Sequence, residues 1–287
     1  MPEIAEVETV RNTLKKLILN KKIIDVQIIY PKMIESNIKE FKKILIGSSF
    51  KDIDRIGKWL MFDIGDYYLL SHLRMEGKYF VKEKSMPVEK HEHVIITFDD
   101  NTTLRYHDTR KFGRMNLVKK CDIDKVEAIK KQGIEANSDK LNKEYIYNKI
   151  HNKNIPIKTL LLDQTIISGL GNIYANEVMF ASKIDPCTLG KDVPLDTCAL
   201  IAKSSKKIID AAIKDGGTTI KSYTSSLGVT GRFQQHLMVH KRENEPCKVC
   251  GTHIKNIKIG GRSTYYCPFC QKNKWQVTVK NELSILK

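Results

Sequence analysis

The chain has 287 residues, 49 Lys and Arg against 33 Asp and Glu, a formal charge of +16 and 41% hydrophobic residues. Those values exclude a disordered tail, no uncharged stretch is long enough to span a bilayer, and the acidic start Met1-Pro2-Glu3 is not a secretory signal. The length suggests about two domains, and the charge points to a polyanionic partner, nucleic acid first and anionic lipid second, against the plainer reading of a lysine-rich solvated surface.

Ile4, Val7, Val10, Leu14, Leu17 and Ile18 recur at helical spacing, so a helix over residues 3–19 opens the chain. Eight short apolar-aromatic runs follow: 23–30, 50–56, 59–64, 67–73, 79–82, 93–98, 103–106 and 115–118. They are punctuated by turn residues such as Gly65-Asp66 and Asp99-Asp100-Asn101. Strands at this spacing predict a sandwich or barrel. The polar stretch 121–153 predicts helix at a domain junction. Helical periodicity returns from Ile157 to Ala212, interrupted by Ser168-Gly169-Leu170-Gly171-Asn172, with one helix starting near Asn172 and another over 195–213. Residues 215–232, rich in Gly, Ser and Thr, read as a loop. The last 47 residues carry ten Lys or Arg against three Asp or Glu, so charge is concentrated there.

Four of the seven cysteines form a pattern. Cys247 and Cys250, then sixteen residues, then Cys267 and Cys270 give the spacing of a zinc ribbon. Four thiolates make a closed, structural Zn²⁺ site. The competing reading is a pair of disulfides, which would leave Cys121, Cys187 and Cys198 unpaired. The glycine turn at 169–172 presents N–H groups at a helix start, as a phosphate site or as an ordinary connection. Arg262 follows Gly260-Gly261 at a predicted hairpin tip, either to straddle a phosphate or as a solvated side chain. Removal of Met1 would leave Pro2 with a free secondary amine. Such an amine is a nucleophile near neutral pH, and Glu3 beside it is placed to relay protons.

Several motifs stand together in register. They are Pro2-Glu3-Ile4-Ala5-Glu6-Val7-Glu8-Thr9, Gly57-Lys58, His72-Leu73-Arg74-Met75-Glu76-Gly77 and Asp108-Thr109-Arg110-Lys111-Phe112-Gly113. Asp163-Gln164, the run Gly169 to Glu177 and the cysteine module complete the set. From residue 2 to about 271 this order resembles the formamidopyrimidine-DNA glycosylase family. The resemblance implies an α+β fold: an N-terminal helix and β-sandwich (1–130), a helix-two-turn-helix domain with a lesion-recognition loop (131–240) and a C-terminal zinc finger (241–287), with DNA held between the two larger domains. It implies a bifunctional DNA glycosylase and AP lyase of base excision repair acting on 8-oxoguanine and formamidopyrimidines. The catalytic set it implies is Pro2, Glu3, Lys58 and Arg262. DNA contacts fall to His72, Met75, Arg110, Phe112, Lys158 and Asn172, and the lesion pocket to Glu76, Ser222 and Tyr223.

Met75, Arg110 and Phe112 fill the family's gap left by base eversion, with Arg110 facing the orphan cytosine. The implied partner is double-stranded damaged DNA, with no membrane, for a monomer acting in the bacterial cytoplasm on the nucleoid. Four positions depart from the family: Ala5 and Thr109 replace prolines, and His240-Lys241 replaces Tyr-Gly. An endonuclease VIII-like glycosylase for oxidised pyrimidines is the alternative, which the Arg110 and Phe112 pair disfavours. A non-catalytic zinc-ribbon DNA-binding protein would have no use for Pro2-Glu3.

Overall fold

The computed structural model describes residues 1–218 and 232–272. Among these, residues 1–132, 212–218 and 232–234 form one compact unit, and 133–211 with 235–272 a second.

In the first unit α1 (Ile4–Ile18) buries Ile4, Val7, Val10, Leu14 and Ile18, the stripe its spacing predicts. The eight predicted strands are all present: β1 (Ile23–Ile28), β2 (Asp52–Ile56), β3 (Trp59–Ile64), β4 (Tyr67–His72), β5 (Lys78–Glu83), β6 (Glu92–Phe98), β7 (Thr102–His107) and β8 (Arg114–Lys119). They make two four-stranded antiparallel sheets, ordered β1-β6-β7-β5 and β2-β3-β4-β8. Val26, Ile96 and Leu104 of one sheet share a core with Ile53, Phe62, Leu69 and Met115 of the other, and Val10 and Leu14 pack into it. That is the expected sandwich. Between β1 and β2 the structure adds α2 (Ile38–Leu45), where the sequence reading saw only strands. Asn37 caps it, its Oδ1 accepting from Lys39 N–H (2.9 Å) and Glu40 N–H (3.1 Å). Ile38, Phe41 and Leu45 recur at i, i+3 and i+7 and pack on the sandwich core, a stripe one short helix long that the sequence reading passed over.

The polar stretch 121–153 is helical only in part. It holds α3 (Glu127–Lys130), β9 (Ile134–Glu135) and α4 (Lys143–Ile150). Then come α5 (Ile157–Leu162), β10 (Ile167–Ser168), which pairs in parallel with β9, α6 (Asn172–Ala181) and α7 (Leu195–Lys214). Residues Tyr174 to Phe180 of α6 are all buried, so the helix has no polar face. The antiparallel pair β11 (Lys255–Ile259) and β12 (Arg262–Tyr266) closes the described chain. No helix among the described residues is long and apolar enough to cross a membrane.

Candidate active site and nucleic-acid interface

Glu3 is the N-cap of α1, with Pro2 directly ahead of it. Glu3 is 2% exposed and forms a reciprocal capping box with Glu6, whose Oε2 accepts the Glu3 N–H at 2.9 Å. The unpaired N–H groups of a helix start favour negative charge there, which suits a carboxylate. One turn on, Glu8 accepts from Arg55 Nε of β2 at 2.9 Å, and Arg55 also donates to the Gly57 carbonyl at 2.7 Å. Gly57-Lys58 is the β2–β3 turn, so a single guanidinium fixes the Lys58 turn to the helix that carries Pro2 and Glu3. Lys58 is buried. Its neighbour Trp59 pairs with His72 at the end of β4, the two rings edge-on at 4.8 Å. His72 Nδ1 accepts the Arg74 N–H at 2.9 Å. Burial, then the charges of Arg74 and Lys58, push its pKa down to about 3. His72 is therefore neutral at pH 7 with its proton on Nε2.

Met75 and Glu76 lie half-buried in a turn closed by the Gly77 N–H to Leu73 carbonyl bond at 2.9 Å. Arg110 and Phe112 project from a second turn built on buried Asp108. One Asp108 oxygen accepts from Arg110 N–H (2.9 Å) and the other from Gly113 N–H (2.8 Å). The Arg110 guanidinium lies 4.8 Å from the centre of the Phe112 ring, and Phe112 is 47% exposed. An aromatic ring left in water under a cation is available for stacking. Both turns rest on buried Tyr106, since a Cβ at Gly77 or at Gly113 would collide with its hydroxyl. Sequence reasoning gave no role to Tyr106 or Asp108. The glycines of the two motifs were the available signal, and their meaning appears only once the strands bring both turns over one ring.

In the second unit Asn172 opens α6 and its Nδ2 donates to the Ser263 carbonyl at 3.0 Å, next to Arg262. Arg262 is exposed at the start of β12, just past the β11–β12 turn, as expected. Lys158 lies in α5, against the start of α6. It is wholly buried, and its ammonium donates to the Asn172 carbonyl (3.2 Å) and to Asn176 Oδ1 (2.6 Å). An ammonium taken out of water must find such acceptors, and these hold Lys158 against the turn that opens α6. Asn176 Nδ2 in turn meets His240 Nδ1 at 2.9 Å, and Glu177 accepts the N–H groups of Met238, Val239 and His240. Ser222, Tyr223 and most of the predicted loop lie outside the described residues.

The histidines make a pH prediction. His240 is pushed down to about 4 by burial and by the charges of Lys158 and Lys241. Both residues titrate at 6.5 in an unfolded chain. Below that pH the unfolded chain binds protons that the native chain refuses. Stability is then lost as pH falls from 6.5, by up to about 1.4 kcal/mol per pH unit for each histidine, and the loss levels off near their folded values. Urea unfolding at pH 7, 6 and 5 checks this: His72→Asn should flatten the slope, and an unchanged slope refutes the assignment.

The sulfurs of Cys247, Cys250, Cys267 and Cys270 all lie within 4.8 Å of one another, with Cys247–Cys270 at 3.9 Å and Cys250–Cys267 at 3.5 Å. All seven thiols are free, which removes the disulfide reading. Four thiolates about 2.3 Å from one tetrahedral zinc stand about 3.8 Å apart, so the donor set fits one Zn²⁺.

Family comparison agrees with this geometry. Residues 1–115 match the formamidopyrimidine-DNA glycosylase N-terminal domain, 132–224 the H2TH domain of the same enzyme and 244–273 the zinc finger found in FPG and IleRS. The chain is similar to the formamidopyrimidine-DNA glycosylase of Lactobacillus delbrueckii subsp. bulgaricus, 42% identical over 95% of this chain and all of that one. The chain belongs to the formamidopyrimidine-DNA glycosylase family. The relative from Ligilactobacillus salivarius is 44% identical over 94% of this chain and 99% of that protein. Among solved structures, that of Lactococcus lactis Fpg with DNA containing an abasic site matches with a TM-score of 0.90 at 39% identity, covering 94% of this chain and all of that one. MutM in complex with DNA containing carbocyclic 8-oxo-G matches with a TM-score of 0.89 at 39% identity, over 95% of this chain and all of that one. Membership of this family makes the chain a DNA glycosylase with lyase activity and favours it over the endonuclease VIII-like alternative.

Proposed function

We propose that this DNA glycosylase excises 8-oxoguanine and formamidopyrimidines from double-stranded DNA and then cuts the strand at the resulting site. With Met1 removed, the Pro2 nitrogen lone pair attacks C1′ of the damaged nucleotide. The glycosidic bond breaks towards the base, which leaves with the proton shed by the Pro2 nitrogen. As the nitrogen and C1′ become an iminium, the C1′–O4′ bond opens and O4′ takes a proton from Glu3. The iminium acidifies C2′–H. Loss of that proton expels the 3′ phosphate by β-elimination, and δ-elimination then expels the 5′ phosphate.

Lys58 serves as proton donor and phosphate ligand in these eliminations. His72 offers a neutral Nε2–H, and Asn172, Lys158 and Arg262 hold the backbone. Met75, Arg110 and Phe112 occupy the gap left by the everted base, and Glu76 lines the lesion pocket. The division of labour follows 1–130 for chemistry, 131–240 for backbone and lesion, and 241–287 for the finger. The protein acts as a monomer in the cytoplasm, on the nucleoid. The observation that carries this reading is the Glu8–Arg55–Gly57 link, which fixes the Lys58 turn to the helix bearing Pro2-Glu3.

A nicking assay with 8-oxoguanine opposite each of the four bases tests the reading. Cleavage should favour cytosine, by about tenfold or more over adenine, because Arg110 pairs its donor fork with cytosine O2 and N3. Arg110→Ala should erase the preference. Equal cleavage opposite all four bases in the wild type would contradict the role of Arg110.

A further inference from the structure

We propose that Glu6 is a positioning residue that joins the catalytic N-terminus to the chain at Gly217-Thr218, an inference that rests on the Pro2-Glu3 reading for its effect on rate. Glu6 is 4% exposed and lies one turn into α1. Its two carboxylate oxygens divide their work. Oε2 accepts the Glu3 N–H at 2.9 Å. Oε1 accepts both the N–H and the Oγ1–H of Thr218, at 2.8 and 3.0 Å, across 212 residues of sequence. Thr218 is itself 3% exposed.

Only an acceptor-only group suits this place. Among the described residues the Glu3 N–H and the N–H and Oγ1–H of Thr218 converge on it, and a carboxylate offers about four lone-pair sites. A glutamine would turn an NH₂ group towards one of those donors. Position 217 is shaped by the same carboxylate. Gly217 has φ +86°, and a Cβ there would stand 2.7 Å from Glu6 Oε1. Buried charge-assisted bonds of this kind are short and directional. Moving Thr218 therefore moves the Glu6 carboxylate, and with it the backbone of Glu3 and the nitrogen of Pro2. Glu6 itself acts through Glu3 and not on the reacting atoms.

The test uses the full-length protein with Met1 removed, and three readouts: single-turnover excision of 8-oxoguanine at saturating enzyme, Kd for the same duplex, and hydrogen exchange of peptides covering residues 2–8 and 212–218. Glu6→Gln should slow excision by roughly 10- to 100-fold with Kd changed less than about threefold, since small misplacements of reacting groups cost rate more than binding. Both peptides should exchange faster. Thr218→Val should slow excision by about threefold or more, and Thr218→Ser should restore the wild-type rate. An unchanged rate in Glu6→Gln, faster exchange in only one of the two peptides, or a Thr218→Ser variant as slow as Thr218→Val overturns the proposal. A wild-type protein that excises nothing instead overturns the catalytic reading, and the exchange of the two peptides then decides by itself whether Glu6 joins them.

Discussion

Pro2→Gly slows excision of 8-oxoguanine by at least about 10²-fold, with duplex affinity held within a few-fold. The reasoning is chemical. Glycine keeps an amine at the terminus, so the chain still carries a nucleophile. That amine is primary, is no longer fixed by the pyrrolidine ring, and starts from a backbone with far more freedom ahead of the Glu3 cap. Glu3 and Glu6 continue to cap each other, because their bonds run through the Glu3 N–H and the carboxylates, not through the proline ring. The loss should thus fall on the rate and not on folding or binding. Single-turnover excision, with Kd measured by gel shift on the same duplex, separates the two. A variant that binds weakly but excises at the wild-type rate once saturated would assign Pro2 to binding and remove it from the chemistry.

Cys267→Ser has the second large effect. The core under the hairpin is small: Phe180, Val239 and Ile254 with the buried sulfurs of Cys247 and Cys267. A two-stranded hairpin such as β11–β12 is marginal by itself, and a structural zinc supplies much of the folding free energy of such modules. The thiolates are prepared for it, with the Val249 and Cys270 N–H groups directed at the sulfurs of Cys247 and Cys267 at 3.5 and 3.4 Å. Loss of one ligand should release the metal and the hairpin. Arg262 then loses its place, and Asn172 loses the Ser263 carbonyl that orients it. Duplex affinity should fall by about 10²-fold or more, the scale of several phosphate contacts. Metal analysis gives the first readout, with close to one zinc per wild-type chain and little in the variant. Full affinity in a variant without zinc would show that the finger is dispensable for DNA binding.

The sandwich was legible because short apolar-aromatic runs are bounded by turn residues. β3, buried at five of its six positions and followed by Gly65-Asp66, is the plain case. α2 was passed over although Asn37 caps it and Ile38, Phe41 and Leu45 form a stripe, because eight residues give barely two turns among runs that read as strands. The polar stretch 121–153 misled in the other direction: its charges allow a helix, but few apolar residues bind a long one to a core. At the site, Pro2, Glu3 and Lys58 were legible through motif resemblance alone, since a Met-Pro start and a lysine on a turn are ordinary features. Lys158 was likewise singled out by resemblance alone. In a chain with so many lysines, composition does not mark the one whose ammonium meets Asn172 and Asn176. Arg55 and Glu6 escaped for a related reason, because their partners Glu8 and Thr218 lie 47 and 212 residues away.

The central claim, a covalent intermediate on the nitrogen of Pro2, is tested most directly by borohydride reduction during turnover of an 8-oxoguanine duplex, followed by peptide mapping. The account predicts a trapped protein–DNA adduct whose modified peptide begins at Pro2, with none formed by protein that retains Met1. An adduct on a lysine, Lys58 included, or no adduct from protein with a free Pro2, would contradict it.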